Sequence, residues 1–165
     1  GSDVHFIKVT LQSSWYLPVT RWLVLALSGR GGVAKNFGET LTVPISERFF
    51  LGGRSTVRGY LQDSLGIPGV TVIDGTPTGG NAMLLVNAEF RISLFWGLGL
   101  VTFLDGGNVW PEYNEINVSE MKYSTGVGLR YNTPIGPFRL DLGYKLEPEP
   151  DESSSELHFT LGHTF

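Results

Sequence analysis

Cysteine is absent from the 165 residues, which excludes a disulfide framework and any thiolate metal site. Histidine is scarce. His5, His158 and His163 are scattered, and no metal-ligand spacing appears. Asp, Glu, Lys and Arg together make up only 17%, against about 25% in ordinary globular chains. The charge balance is −4 with a pI near 5.3, so the basic footprint of a nucleic-acid binder, above a pI of about 9, is missing. The best apolar run, residues 22–27, falls far short of the roughly 18 residues of a membrane-spanning helix. There is no Gly-x-Ser-x-Gly elbow. No Gly-Lys-Ser/Thr follows the paired Gly52 and Gly53, which argues against a phosphate-binding loop.

What is plentiful is glycine, with 22 residues, and aromatic side chains, at 12%. With 41% hydrophobic residues the chain is too apolar to be disordered. Its length suits one domain, taken as residues 3–165. Gly1-Ser2 looks like an expression scar, and no signal peptide follows it. The chain is expected to be a mature or excised piece whose C-terminus, Phe165, is native. The composition fits an all-β protein, either soluble or in an outer membrane.

Helical spacing is poor throughout, while period-two alternation is strong. In residues 81–95, Ala82, Leu84, Val86, Ala88, Phe90, Ile92 and Leu94 alternate with a row that includes Asn81, Asn87, Glu89, Arg91 and Ser93. The pattern recurs over residues 121–131, 138–146 and 157–165, and more weakly over 5–17, 21–30, 44–53 and 97–109. That gives eight candidate strands. Alternation alone does not separate a soluble sandwich from a membrane barrel.

Three features favour the barrel. Most candidate strands match the roughly 9–11 residues of a tilted membrane strand. Trp15, Tyr16, Trp22, Phe95, Trp96, Trp110, Tyr123, Tyr131 and Tyr144 fall near strand ends, where interfacial girdles belong. Short turns at 95–97 and 132–137 also fall between long loops at 55–80, 110–120 and 147–156, as in outer-membrane barrels. The link at 35–43 departs from this scheme, being long for a periplasmic turn. The expected architecture is a transmembrane antiparallel up-and-down β-barrel of about eight strands.

Two stretches carry the site. Residues 47–60 include Gly52 and Gly53, which allow a tight bend. They end in Val57, Arg58, Gly59 and Tyr60 at the start of a loop of about 25 residues, a length that is usually functional or disordered. Residues 103–108 place Phe103, Asp105 and Gly107 on one face, opposite Leu98, Leu100 and Leu104. Asp105 therefore points inward if the leucines meet lipid, and Glu89 on the preceding strand points the same way. Two inward carboxylates on neighbouring strands make a site for the planar fork of an arginine. The alternative is an ordinary ladder of lumen charges with Arg91, Arg130, Arg139 and Asp141, beside an exposed loop with an incidental Arg58. No metal or cofactor is expected. The acidic, proline-rich stretch 147–156 reads as a solvated outer loop.

The Arg-Phe-Phe-Leu-Gly-Gly…Val-Arg-Gly-Tyr run, the Asn-Ala-Glu-Phe-Arg of residues 87–91 and the Phe-x-Asp-x-Gly of residues 103–107 resemble the signatures of the BamA/TamA/FhaC superfamily of outer-membrane insertases and translocases. Three separated motifs occur in the family's order, and the resemblance covers essentially the whole chain. It implies that the Val-Arg-Gly-Tyr loop folds into the barrel lumen, that Arg58 meets Asp105, and that Glu89 is the acidic residue of the intervening strand. The ending, with Leu157, Phe159, Leu161, Gly162 and Phe165, looks like the aromatic-terminated signal by which such barrels are recognised for assembly.

The resemblance further implies a bacterial outer-membrane location and contact with outer-membrane lipid. In a full-length parent it implies unfolded outer-membrane or secreted proteins and accessory assembly factors as partners. Nucleic acid is not expected.

The family is similar to a sixteen-stranded barrel with periplasmic repeats, so this chain looks like the C-terminal half of the barrel. A closed eight-stranded barrel is just wide enough for its own side chains. It would leave little room for the loop, and the Arg58–Asp105 contact would be lost. Two copies combining as a homodimer would keep it. Other classes weighed were a small structural or adhesive barrel, a soluble ligand-binding barrel, and an acyltransferase or lipase using His158 with Ser153–Ser155 nearby.

Overall fold

The computed structural model describes residues 3–161. The strands that the alternation predicts form one antiparallel sheet: β1 (Phe6–Pro18), β2 (Leu23–Asn36), β5 (Ala82–Ser93), β6 (Leu98–Trp110), β7 (Lys122–Thr133), β8 (Gly136–Lys145) and β9 (Ser155–Leu161), hydrogen-bonded in that order. The short strands β3 (Val72–Ile73) and β4 (Thr76–Pro77) pair separately as a small hairpin. The up-and-down all-β architecture is as expected. Among the described residues β1 pairs only with β2 and β9 only with β8, so the sheet has two free edges and does not close on itself.

One expected strand is not a strand. Residues 44–53 form a short 3-10 turn followed by isolated bridges, Phe49 to Gly80 and Leu51 to Leu65. Pro44 starts the segment, and Gly52 and Gly53 bend it with φ of +113° and +112°, a region glycine tolerates and other residues avoid. The main sheet therefore has seven strands. Residues 37–81 become a single long connection between β2 and β5. This correction removes the anomaly at 35–43. Short links (19–22, 94–97, 134–135) now alternate strictly with long ones (37–81, 111–121, 146–154).

The two faces of the sheet differ as a membrane requires. One row crosses the first six strands of the sheet, Trp15–Leu27–Ala88–Leu104–Thr125–Tyr144, and faces outward with Val9, Leu11, Val86, Phe90, Val127, Leu129, Leu157 and Phe159. All of these but the half-buried Ala88 are exposed. So broad an apolar face is untenable in water and normal against lipid. The core lies on the opposite side, between the inner face and the folded-back connection. Val43, Phe49, Leu51, Val57, Tyr60 and Leu65 of the connection pack on Ala34, Met83, Leu85 and Val109 of the wall. At roughly 25 cal/mol per Å² of apolar surface, this burial holds the connection down.

The aromatic expectation holds with corrections. Trp15, Trp22, Phe95, Trp96, Tyr123, Tyr131 and Tyr144 are exposed at or near strand ends. Tyr16 faces inward, its ring beneath Arg91 at 5.4 Å. Trp110 is only 1% exposed and belongs to no girdle. Brominated phospholipid is therefore expected to quench Trp15, Trp22 and Trp96 and to spare Trp110. In reconstituted protein, Trp110→Phe should retain nearly all the quenching and the Trp15/Trp22/Trp96→Phe triple variant should lose most of it. The reverse pattern would put lipid on the other face.

Candidate functional site

Register, which alternation does not reveal, assembles the site. Four successive inward rungs run across the wall. The first is Asn87–Asp105–Ser124–Lys145. Next come Glu89–Phe103–Gly126–Gly143 and Arg91–Val101–Gly128–Asp141–His158. The last is Gly99–Arg130–Arg139–Thr160. Carboxylates on three strands thus converge, and glycines on β7 and β8 leave a depression beside them. An added Cβ at Gly143 would overlap the Arg58 carbonyl, and one at Gly59 would lie 2.6 Å from the Ser124 Cβ. Backbone at this depth is possible only with glycine on both surfaces.

Arg58 fills the depression and is 2% exposed. Its Nε donates to Asp105 Oδ2 at 2.8 Å and its Nη2 to Asp105 Oδ1 at 2.8 Å, a bidentate fork. Nη1 donates to Glu89 Oε2 at 2.6 Å and lies 3.9 Å from Asp141 Oδ2. The Arg58 backbone N–H also donates to Asp105 Oδ2 at 3.1 Å. The guanidinium carbon stands 3.7 Å above the Phe103 ring centroid, within cation–π range. Burial alone would weaken the arginine's hold on its proton. The hydrogen bonds and charge of Asp105, with the charges of Glu89 and Asp141, outweigh that and hold it more firmly than usual.

The surrounding groups hold the loop's backbone. Asn87 Nδ2 donates both to Thr56 O and to Asp105 Oδ1, each at 2.8 Å. Gly59 N–H donates to Ser124 Oγ at 3.0 Å. His158 Nε2 lies 2.8 Å from the Arg58 carbonyl oxygen and donates to it. Tyr60 is buried beneath Lys145, whose Nζ is 4.7 Å from the ring centroid. Burial and then the nearby Glu152, Glu149 and Glu147 push its phenol above the ordinary range. Gly107 and Val57 lie in the same core, where a Cβ on Gly107 would meet Leu51 Cδ1 at 3.0 Å.

The eight residues expected at the inner site are therefore brought together: Val57, Arg58, Gly59, Tyr60, Glu89, Phe103, Asp105 and Gly107. The expected charge ladder is also present and joins them. Arg91 Nε donates to Glu89 Oε1 at 3.0 Å, Arg130 Nη1 to Asp141 Oδ1 at 2.7 Å, and Arg139 Nη2 to Asp141 Oδ2 at 3.0 Å. The ladder and the Arg58 site are one network, and Arg58 is buried in it rather than incidental on an exposed loop. The open wall leaves room for the loop that a closed eight-stranded barrel would have excluded. Asn87, Ser124, Gly143 and the loop-binding role of His158 are additions. Asn87 could have been suspected as a polar residue two positions from Glu89 on the same face. Of the terminal signal, Leu157, Phe159 and Leu161 are exposed on the outer face, while Gly162 and Phe165 lie outside the described residues.

Fold and site together define a membrane-spanning antiparallel wall whose inner face is closed by its own loop, pinned through a buried arginine. The chain belongs to the Omp85 superfamily, whose domain model matches residues 1–165. Among curated relatives, it is 31% identical to the outer membrane protein assembly factor BamA of Neisseria meningitidis serogroup B, over 100% of this chain and 24% of that protein. It is 33% identical to BamA of Nitratidesulfovibrio vulgaris, over 100% of this chain and 21% of that one. It is 30% identical to a SAM50-like protein of Schizosaccharomyces pombe, over 99% and 36%. The chain thus spans between a fifth and two fifths of these relatives' lengths. The crystal structure of BamA from Haemophilus ducreyi lacking POTRA domains 1-3 shares the fold, with a TM-score of 0.75 at 22% identity over 96% of this chain and 35% of that one.

Removing one partner of a buried, hydrogen-bonded charge pair typically costs about 3–5 kcal/mol. Arg58→Ala should therefore lower the urea stability of the detergent-refolded chain by about that much and expose residues 54–80 to protease. Arg58→Lys should recover little, because an ammonium lacks the fork that engages both carboxylates. In a double-mutant cycle, Arg58→Ala with Asp105→Ala should cost clearly less than the sum of the single changes. Additive costs would mean that the two residues do not act as a pair.

Proposed function

We propose that the chain is the C-terminal part of the barrel of an outer-membrane protein assembly or translocation factor, that it performs no bond chemistry, and that it is inactive when isolated. The observation that carries this reading is the contact of Arg58 with Asp105 and Glu89. It joins the three motifs that distinguish such a protein from a merely structural barrel. The site holds a loop inside the lumen and offers no reacting group.

The free edges support the same reading. In lipid every backbone N–H and C=O needs a partner, so the two free edges call for partner strands. Further strands, from the rest of a longer chain, complete the wall. Among the described residues the outer edge of β9 presents unpaired N–H and C=O groups, the feature that lets a sheet receive an incoming strand. Unfolded outer-membrane or secreted proteins are the partners that such an edge serves, together with accessory assembly factors. Arg58, Asp105 and Glu89 act as positioning residues. They fix the loop beside β9 and do not touch the client.

A lipase or acyltransferase needs serine, histidine and a carboxylate in mutual contact. Here His158 Nε2 is bound to the Arg58 carbonyl and Ser153 Oγ donates to Glu156 at 2.7 Å, which disfavours that reading. In the full-length parent in bacterial outer membrane, Arg58→Ala is expected to lower insertion or secretion of clients and to mobilise the loop. Normal activity with an unchanged protease pattern would overturn the assignment.

A further inference from the structure

On the inner face, toward the short-turn end of β5–β8, a cleft of about 290 Å³ opens below the Arg58 network. That is roughly ten times the share of liquid volume, about 30 Å³, that one water occupies. Its polar lining comes from Glu89, Arg91, Arg130, Arg139, Asn132 and Ser93. We propose that this cleft binds a phosphate group, held between the guanidinium groups of Arg130 and Arg139 with Arg91 at its side.

Three observations lead there. First, Arg130 and Arg139 are directly opposite each other on β7 and β8. Like charges so placed repel, and their one shared carboxylate, Asp141, takes a single nitrogen from each. Second, both guanidinium groups keep a buried nitrogen, Arg130 Nη2 and Arg139 Nε, with no partner among the described residues. Arg139 is 7% exposed, and an unsatisfied buried donor is costly enough to ask what satisfies it. Third, the ion-paired group on Asp141 sets two guanidinium groups, Arg130 and Arg139, against one carboxylate that also faces Arg58 at 3.9 Å. Its surplus positive charge lies at the cleft.

An anion supplies the partner that Arg130 Nη2 and Arg139 Nε lack. Phosphate suits the cleft better than a carboxylate. Its extra charge and additional acceptor oxygens match three guanidinium groups around one space, and arginine pairs bidentately with it. The group could arrive as free phosphate or as the headgroup of a lipid. The cleft opens beside Leu94, Gly97 and Pro137 at the short turns, away from the long loops.

The full chain, refolded in a zwitterionic detergent, is titrated calorimetrically at constant ionic strength in chloride. One arm uses inorganic phosphate and the other short-chain phosphatidic acid. Binding of phosphate identifies the free ion as sufficient, and binding of the lipid alone identifies the headgroup. In either case Arg130→Gln and Arg139→Gln should each weaken binding at least tenfold. Lys122→Gln, at the other end of β7, should leave it unchanged. Phenylglyoxal labelling of the unaltered chain does not depend on those variants refolding. The bound ligand should protect the more accessible Arg130 and leave the exposed Arg21 and Arg54 reactive. No heat, or heat with no selective protection in either arm, overturns the proposal.

Discussion

A guanidinium that never loses its charge is buried at Arg58, and the inner half of the molecule is organised around neutralising it. Moving such a group out of water costs several kcal/mol even after relaxation. The charge is tolerated only because carboxylates from β5, β6 and β8 reach it together. Asp105 provides the fork, Glu89 caps the third nitrogen and Asp141 closes the field. Because the pairing is bidentate, it specifies orientation as well as proximity. A hydrophobic anchor of the same size could hold the loop against the wall, but it would not fix which backbone atoms face β7 and β9. The polar contacts do: Thr56 O, Gly59 N and Arg58 O each find a named side-chain partner.

That demand explains the glycines better than local flexibility does. Gly126 and Gly143 sit on the rung of Glu89 and Phe103. The ring of Phe103 lies over Gly126, and the loop backbone lies over Gly143. A large residue followed by two absent side chains makes a step in the wall, and Arg58 and Gly59 occupy it. The wall and the loop are thus shaped by a single requirement. The apolar packing of Leu51, Val57, Tyr60 and Leu65 on Met83 and Leu85 then excludes water from the network. That strengthens its charge-assisted bonds.

Much of this was legible from residue order. Alternation located the seven main strands and gave the correct facing of Glu89 and Asp105. The family resemblance paired Arg58 with Asp105 and marked Glu89 as the acidic residue of the intervening strand, while the Arg58–Glu89 bond came from the structure. What failed was local. Residues 44–53 carry only a weak alternation, in which Ile45, Phe49 and Leu51 share one parity and Phe49 and Leu51 face the wall. Periodicity registers the burial of one side and is silent on what covers it. Met83 and Leu85, apolar residues in an otherwise polar row, were the available sign that the inner face carries a core. Strand register was beyond reach, since a shift of two residues preserves every facing and moves every partner. Asn87, Ser124, Gly143 and His158 acquire their roles only through register.

The position of the network relative to the free edge ties fold to function. His158 lies on β9, the last strand, and its ring holds the carbonyl of Arg58 itself. The loop therefore bonds side chains from β5, β6, β7 and β9 at once. Among the described residues β9 has a single backbone neighbour, β8, and its outward Leu157 and Phe159 are exposed. A strand so placed would fray if it were held by one ladder alone. The lumen loop gives it a second attachment on its inner side without touching the N–H and C=O groups of its free edge. On the proposed reading, an edge that receives a new strand must stay open yet keep its position, which needs support on the inner face of the wall, and a buried ion network rooted in three other strands supplies it.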